Sequence, residues 1–187
     1  MSWKKKPQER SCCSTRGPAI TANPEEDCAD EICAVPTPAT DTATCPASGR
    51  TGLEVDLITL KALLNAGALR RLDGRRYRFC PSAYCEVVYF DNETGSVFRK
   101  SDLTTRVGQK ETADPIPLCY CFGFTMEDIR RDLATSARSE IPGIITREVR
   151  AGHCACEVRN PEGTCCLGNI AKAVKRIEAG LVEANRL

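Results

Sequence analysis

Apolar positions change period along the chain, and the changes divide it into three. Residues 1–44 follow neither a two-residue nor a 3.6-residue repeat. Their end, Ala34–Thr44, is a low-complexity run rich in Ala, Thr and Pro that reads as a flexible, Cys-containing tail and linker. In residues 45–112 the periods are short. Leu53 and Val55 predict a strand, and Leu57, Leu60 and Leu64 recur at helical spacing, with Gly67 suited to the helix end. Asp73-Gly74 is a hairpin signal, Tyr77–Phe79 and Glu86–Phe90 predict strands around a Cys80–Cys85 turn, and Asn92–Gly95 turns the chain into Ser96–Arg99. In residues 113–187 the helical period dominates. Met126, Ile129, Leu133 and Ala137 predict an amphipathic helix opened by a Thr125/Asp128 capping box. Leu167, Ile170, Val174, Ile177 and Leu181 predict a second, whose polar face carries Lys172, Lys175, Arg176 and Glu178. The expected class is α+β: a small β unit followed by a helical unit.

Cysteine content changes this picture most. Thirteen cysteines occur in 187 residues, mostly in tight pairs: Cys12-Cys13, Cys28/Cys33, Cys80/Cys85, Cys119/Cys121, Cys154/Cys156 and Cys165-Cys166, with Cys45 alone. The N-terminus lacks the apolar stretch of a secretory signal, and no run of about 18 apolar residues could span a membrane. The expected location is therefore the reducing cytoplasm, where disulfides are rare. The odd cysteine count and the vicinal pairs also favour metal ligation. A net charge of +1, from 26 basic and 25 acidic residues, argues against a nucleic-acid partner. Aromatics are only 5% of the chain, which predicts small cores stapled by metal.

The second unit holds the more informative constellation. Cys119-Tyr120-Cys121 and Cys165-Cys166 are each expected directly before a helix, whose N-terminal dipole would favour thiolates. A further ligand is expected from the Cys154/Cys156 loop. Four thiolates suit either a [2Fe–2S] centre or a four-thiolate zinc site. A centre needing two His ligands is excluded because His153 is the only histidine. His153 is expected as a polar loop residue, with ligation as the alternative. No nucleophile–base pair, phosphate loop or paired-carboxylate signature points to an enzyme in the ordinary sense.

Several motifs together carry a resemblance. Cys119-Tyr-Cys-Phe-Gly-Phe-Thr-Met-Glu-Asp-Ile129 resembles the opening of the bacterioferritin-associated-ferredoxin-like [2Fe–2S] domain. Phe79-Cys-Pro-Ser-Ala-Tyr-Cys-Glu-Val-Val-Tyr-Phe90, Val97–Lys100, Leu103–Gly108, Cys119–Cys121 and Asn160–Cys166 are similar, in order and spacing, to the N-terminal domain of CopZ-type copper chaperones. The resemblance spans about residues 45–175. It implies a zinc-knuckle-like β unit at 45–112 and a [2Fe–2S] unit at 113–187. It places Cys119, Cys121, Cys156 and Cys166 on the cluster, with Cys165 as the alternative fourth ligand and Cys154 as a free or neighbouring thiol. On the zinc side it places Cys45, Cys80 and Cys85. The family usually opens with Cys-Pro-x-Cys, whereas this sequence reads Cys45-Pro46-Ala47-Ser48. The fourth zinc ligand is left open between water, Ser48 (weak, because its hydroxyl rarely ionises) and a tail cysteine such as Cys33.

The family's Met-x-Cys-x-x-Cys heavy-metal loop does not occur in this sequence. The expected function is copper or heavy-metal homeostasis, with the cluster as a one-electron relay that could reduce Cu(II) to Cu(I). The expected protein is a metal chaperone or electron-transfer protein, with at most a metal reductase activity. Cys12, Cys13, Cys28 and Cys33 are candidate soft-metal thiols, for Cu+ among others, or simply exposed thiols. The resemblance implies as partners a copper-transporting P-type ATPase, a separate heavy-metal-domain chaperone or an electron donor. The alternatives are a plain [2Fe–2S] electron carrier or redox sensor, and a thiol-based soft-metal buffer.

Overall fold

A computed structural model describes residues 43–136 and 138–184, without the side chains of 181–184. The expected tail, with Cys12, Cys13, Cys28 and Cys33, lies outside the described residues except for its last two positions; so do Ala137 and the Leu181 side chain.

Four short strands form an antiparallel sheet in chain order: β1 (Leu53–Val55), β2 (Tyr77–Phe79), β3 (Val87–Phe90) and β4 (Val97–Arg99). Leu53 faces Phe79, Phe79 faces Tyr89, and Tyr89 faces Phe98 across the sheet. All four residues of β3 are buried. A register shift between Val87 and Tyr89 accompanies this loss of alternation, and lets both faces of the strand meet apolar neighbours. On one face lie Leu60, Leu64, Tyr77, Phe79, Tyr89 and Phe98; on the other lie Phe90, Val87 and three cysteines. The chain between β1 and β2 crosses through helices α1 (Leu57–Leu63) and α2 (Ala66–Leu69). Two expectations change here. Gly67 lies inside α2, because Leu64 already ends α1 and the Asn65 side chain caps the next helix through Ala68 N. Asp73-Gly74 is a bend before β2 and joins no hairpin; Asp73 accepts instead from Arg75 N and the Tyr77 hydroxyl.

The second half begins with a two-stranded ladder, β5 (Pro117–Cys119) and β6 (Phe124–Thr125). Helix α3 (Met126–Thr135) follows, opened by the expected Thr125/Asp128 capping box. Helices α4 (Ile141–Arg150), α5 (Cys156–Arg159) and α6 (Leu167–Ala184) complete it. Ile129, Leu133, Ile141, Ile145 and Ile170 form its core together with Cys119 and Cys166. The expectation that neither half builds a sizeable core is corrected. Few aromatics suffice because Tyr77, Phe79, Tyr89, Phe90 and Phe98 are all fully buried in one half.

Side chains sew the halves together. Fully buried Thr59 on α1 donates to the Glu157 carbonyl on α5, and Tyr89 donates to the Pro161 carbonyl at 2.9 Å. Gly108 approaches the Pro117 carbonyl so closely that no Cβ fits there, and its amide donates to the Tyr120 hydroxyl at 2.8 Å. Among the described residues no helix is long and apolar enough to cross a membrane. Replacing Tyr89→Phe leaves the Pro161 carbonyl without this donor in a buried setting. The expected cost is about 1 kcal/mol, read as a lowered urea midpoint at unchanged slope.

Candidate metal centres

The first centre is built by two turns that face each other. At Cys45-Pro46-Ala47-Ser48 the chain doubles back: Cys45 N donates to Arg50 O and Gly49 N to Cys45 O, each at 2.8 Å. Gly49, at φ +66°, supplies the left-handed residue this reversal needs. The second turn links β2 to β3, with Cys80 N donating to Val88 O at 2.8 Å and Cys85 N to Ser82 O at 3.3 Å. The Sγ atoms of Cys45, Cys80 and Cys85 lie within 4.8 Å of one another, all three buried. Ser48, half-buried, brings its Oγ to 3.3 Å from the Cys80 sulfur and hydrogen-bonds Cys45 as well. A hydroxyl thus sits beside the three sulfurs where Cys-Pro-x-Cys would place a fourth. Burial opposes ionisation of Cys45, yet hydrogen bonds from the Ser48 hydroxyl and the Ala47 and Ser48 amides outweigh it and lower its pKa. Burial pushes the Cys85 thiol up, with the neighbouring Cys80 and Cys45 adding to the rise.

Lys110 completes this corner, and the motif reading passed over it. It is buried, at 4% exposure, and its Nζ donates to Ser82 O at 2.7 Å and Cys85 O at 3.2 Å. The Phe79 ring centroid lies 5.6 Å from the same nitrogen. Position 110 carries no motif; only the fold brings it to the cysteine turn.

In the second half the structure pairs the expected thiols. Cys121 and Cys156 lie 3.7 Å apart, Sγ to Sγ. Cys119 and Cys166 are both buried and share a hydrogen bond. That bond pulls Cys119 down to about 6, against its burial, with help from the Phe122 and Cys121 amides. The Cys119–Cys166 bond and burial push Cys166 up. Burial and the contact with Cys121 push Cys156 up to about 12. Backbone amides point at the other sulfurs too: Ala155 N donates to Cys121 Sγ at 3.3 Å, and Cys166 N bonds Cys156.

One local expectation changes with this geometry. Cys119 ends β5 and Cys121 lies in the following turn, so α3 starts five residues after Cys121 rather than directly behind it. Turn amides, not that helix dipole, face the Cys119 sulfur. Cys166 does sit immediately before α6, as expected. Cys165 beside it is exposed and Cys154 is half-exposed. His153 is exposed, with Nδ1 2.8 Å from Glu148 Oε2. All nine described cysteines are free thiols. Tyr120, between Cys119 and Cys121, donates to Arg106 O at 3.1 Å while accepting from Gly108 N, which ties this loop to the first half.

Comparison with known proteins places this geometry. The family model described as a zinc binding domain, zf_CopZ, matches residues 42–104, which include Cys45, Ser48, Cys80 and Cys85. The protein named copper chaperone CopZ of Archaeoglobus fulgidus is 37% identical over 147 residues, covering 73% of this chain and 69% of that protein. The X-ray structure of the N-terminal domain of the same organism's CopZ superposes with a TM-score of 0.59 at 33% identity. The match covers 69% of this chain and 95% of that one. With two thirds of a curated CopZ aligned at this identity, the chain belongs to the CopZ copper chaperone family.

Proposed function

We propose that the protein serves copper or heavy-metal homeostasis, holding zinc in its first half and a [2Fe–2S] cluster in its second. The observation that carries the cluster reading is how its sulfurs are grouped. A single tetrahedral zinc, with Zn–S near 2.3 Å, needs its four sulfurs mutually about 3.8 Å apart. Among the described residues only Cys45, Cys80 and Cys85 form such a mutually close group. In the second half, Cys121 and Cys156 pair at 3.7 Å, Cys119 and Cys166 are buried in one core cluster, and no three of these sulfurs group as closely. Two pairs of thiolates suit two metal ions side by side, each iron taking one pair. The amides aimed at Cys119, Cys121 and Cys156 supply the hydrogen bonds to sulfur that tune such centres.

In this reading Cys119, Cys121, Cys156 and Cys166 hold the cluster. Burial of Cys166 against Cys119, with Cys165 exposed, supports Cys166 as the fourth ligand. Once bound, a [2Fe–2S] cluster supplies one-electron chemistry, the class of step that turns Cu(II) into the Cu(I) preferred by soft thiolates. Residues of the chain do the rest. The Ile129–Ile145–Ile170 core keeps water from one side of the site, and Tyr120 anchors its loop. Copper is the cargo, and the tail thiols Cys12, Cys13, Cys28 and Cys33 are its proposed first ligands. A copper-transporting P-type ATPase, a separate heavy-metal-domain chaperone or an electron donor in the cytoplasm is the proposed partner.

Two experiments test this. Anaerobically purified protein is expected to carry about two iron and two acid-labile sulfide, and about one zinc. Cys166→Ser should lose the iron and the visible charge-transfer bands while Cys165→Ser keeps both; the reverse pattern refutes the assignment. In a Cu(I)-chelator assay the dithionite-reduced, desalted protein should form Cu(I) from Cu(II) in proportion to its cluster. A rate equal to that of the apo-protein sinks the reductase role and leaves a plain electron carrier.

A further inference from the structure

We propose that Lys110 is the counter-charge and positioning residue of the first centre, and that with Ser48 it makes this three-thiolate site complete without a cysteine from residues 1–42. The inference rests on the reading that the site holds zinc.

It begins with a buried amine. Lys110 ends a 3-10 turn, Gly108–Lys110, and only 4% of it reaches solvent. Its Nζ donates to the Ser82 carbonyl at 2.7 Å and the Cys85 carbonyl at 3.2 Å, both on the loop that carries Cys80 and Cys85. An ammonium has three N–H groups, so two carbonyls leave one for the sulfurs carried by that loop. No described ion pair joins Lys110 to a carboxylate. A buried cation needs a compensating anion, and among the described residues Cys45, Cys80 and Cys85 form the group beside this amine, anionic once they hold zinc.

Charge counting then separates the candidate fourth ligands. Zinc with three thiolates carries one net negative charge, which a single ammonium cancels. Zinc with four thiolates carries two, leaving one unbalanced among Val87, Phe90 and Val97. The site is already furnished for the first case. Ser48 brings a neutral oxygen to the sulfurs from the same turn as Cys45, 3.3 Å from Cys80. Lys110 also clamps both carbonyls of the loop that aims Cys80 and Cys85, so it holds the sulfurs in place as well as balancing them. Such partners of metal ligands typically account for about 10–100-fold in metal affinity.

The test uses the full-length protein, with zinc and Co(II) as probes. Lys110→Met keeps the length of the side chain and removes its charge. It is expected to weaken zinc binding at least tenfold against a competing chelator, and Lys110→Arg should recover most of that loss. A merely structural lysine would leave zinc affinity within about twofold wherever the far-UV spectrum shows a folded chain, and that result overturns the proposal. The Co(II) form should show thiolate charge-transfer absorption that is unchanged in Cys28→Ser/Cys33→Ser. Ser48→Cys should raise it by about one third, as three sulfurs become four. Absorption lost in Cys28→Ser/Cys33→Ser overturns the proposal even if Lys110→Met fails to fold. Wild-type protein that takes up neither zinc nor Co(II) refutes the zinc reading itself, whereas tight zinc indifferent to Lys110 refutes only this inference.

Discussion

Sulfur that must ionise inside an apolar core is the constraint on which the rest of this structure depends. Cys45, Cys80, Cys85, Cys119, Cys156 and Cys166 are all buried, and all but Cys156 belong to a cluster of aliphatic and aromatic side chains. Burial pushes the Cys85 and Cys156 thiols up, while hydrogen bonds pull Cys45 and Cys119 down. The fold answers with donors. Amides of tight turns face the sulfurs in both halves, a hydroxyl joins them in the first, and the buried Lys110 amine stands behind that site.

The halves answer the same problem differently. In the first, a two-faced sheet puts aromatic packing on one side of β3 and cysteines on the other, so the core that stabilises the strands also buries the site. In the second, helices α3, α4 and α6 close on a loop, and two of its thiols belong to their apolar core. The two halves thus crowd their thiols differently: three sulfurs beside the Lys110 amine in one, and a Cys121–Cys156 pair with Cys119 and Cys166 buried nearby in the other.

Much of this was legible in the sequence, and the exceptions have physical causes. Strands β2 and β3 around Cys80 and Cys85, the Thr125 capping box and the long final helix all follow from patterns a few residues wide. Helix α4 went unread because Pro142 and Gly143 look like breakers. Pro142 falls in the first turn, where no intrahelical donor is lost, and Ile141, Ile145 and Val149 mark the stripe that could have revealed it. The hairpin expected at Asp73-Gly74 failed because β1 pairs with β2 through an intervening pair of helices, a long-range choice no dipeptide encodes. In the candidate sites, cysteine pairs drew attention to the thiols that the fold brings together, but Lys110 carries no spacing signal, and only tertiary burial places it beside them.

The short turn Gly108–Lys110 has one more consequence. Its first residue hydrogen-bonds the tyrosine that lies between Cys119 and Cys121, and its last residue grips the loop that carries Cys80 and Cys85. Because Gly108 is wedged against the Pro117 carbonyl, the turn has no slack to absorb a shift at either end. It works as a link of three residues between the two groups of cysteines. A change of length or of sequence in these three residues would reach both groups of cysteines at once.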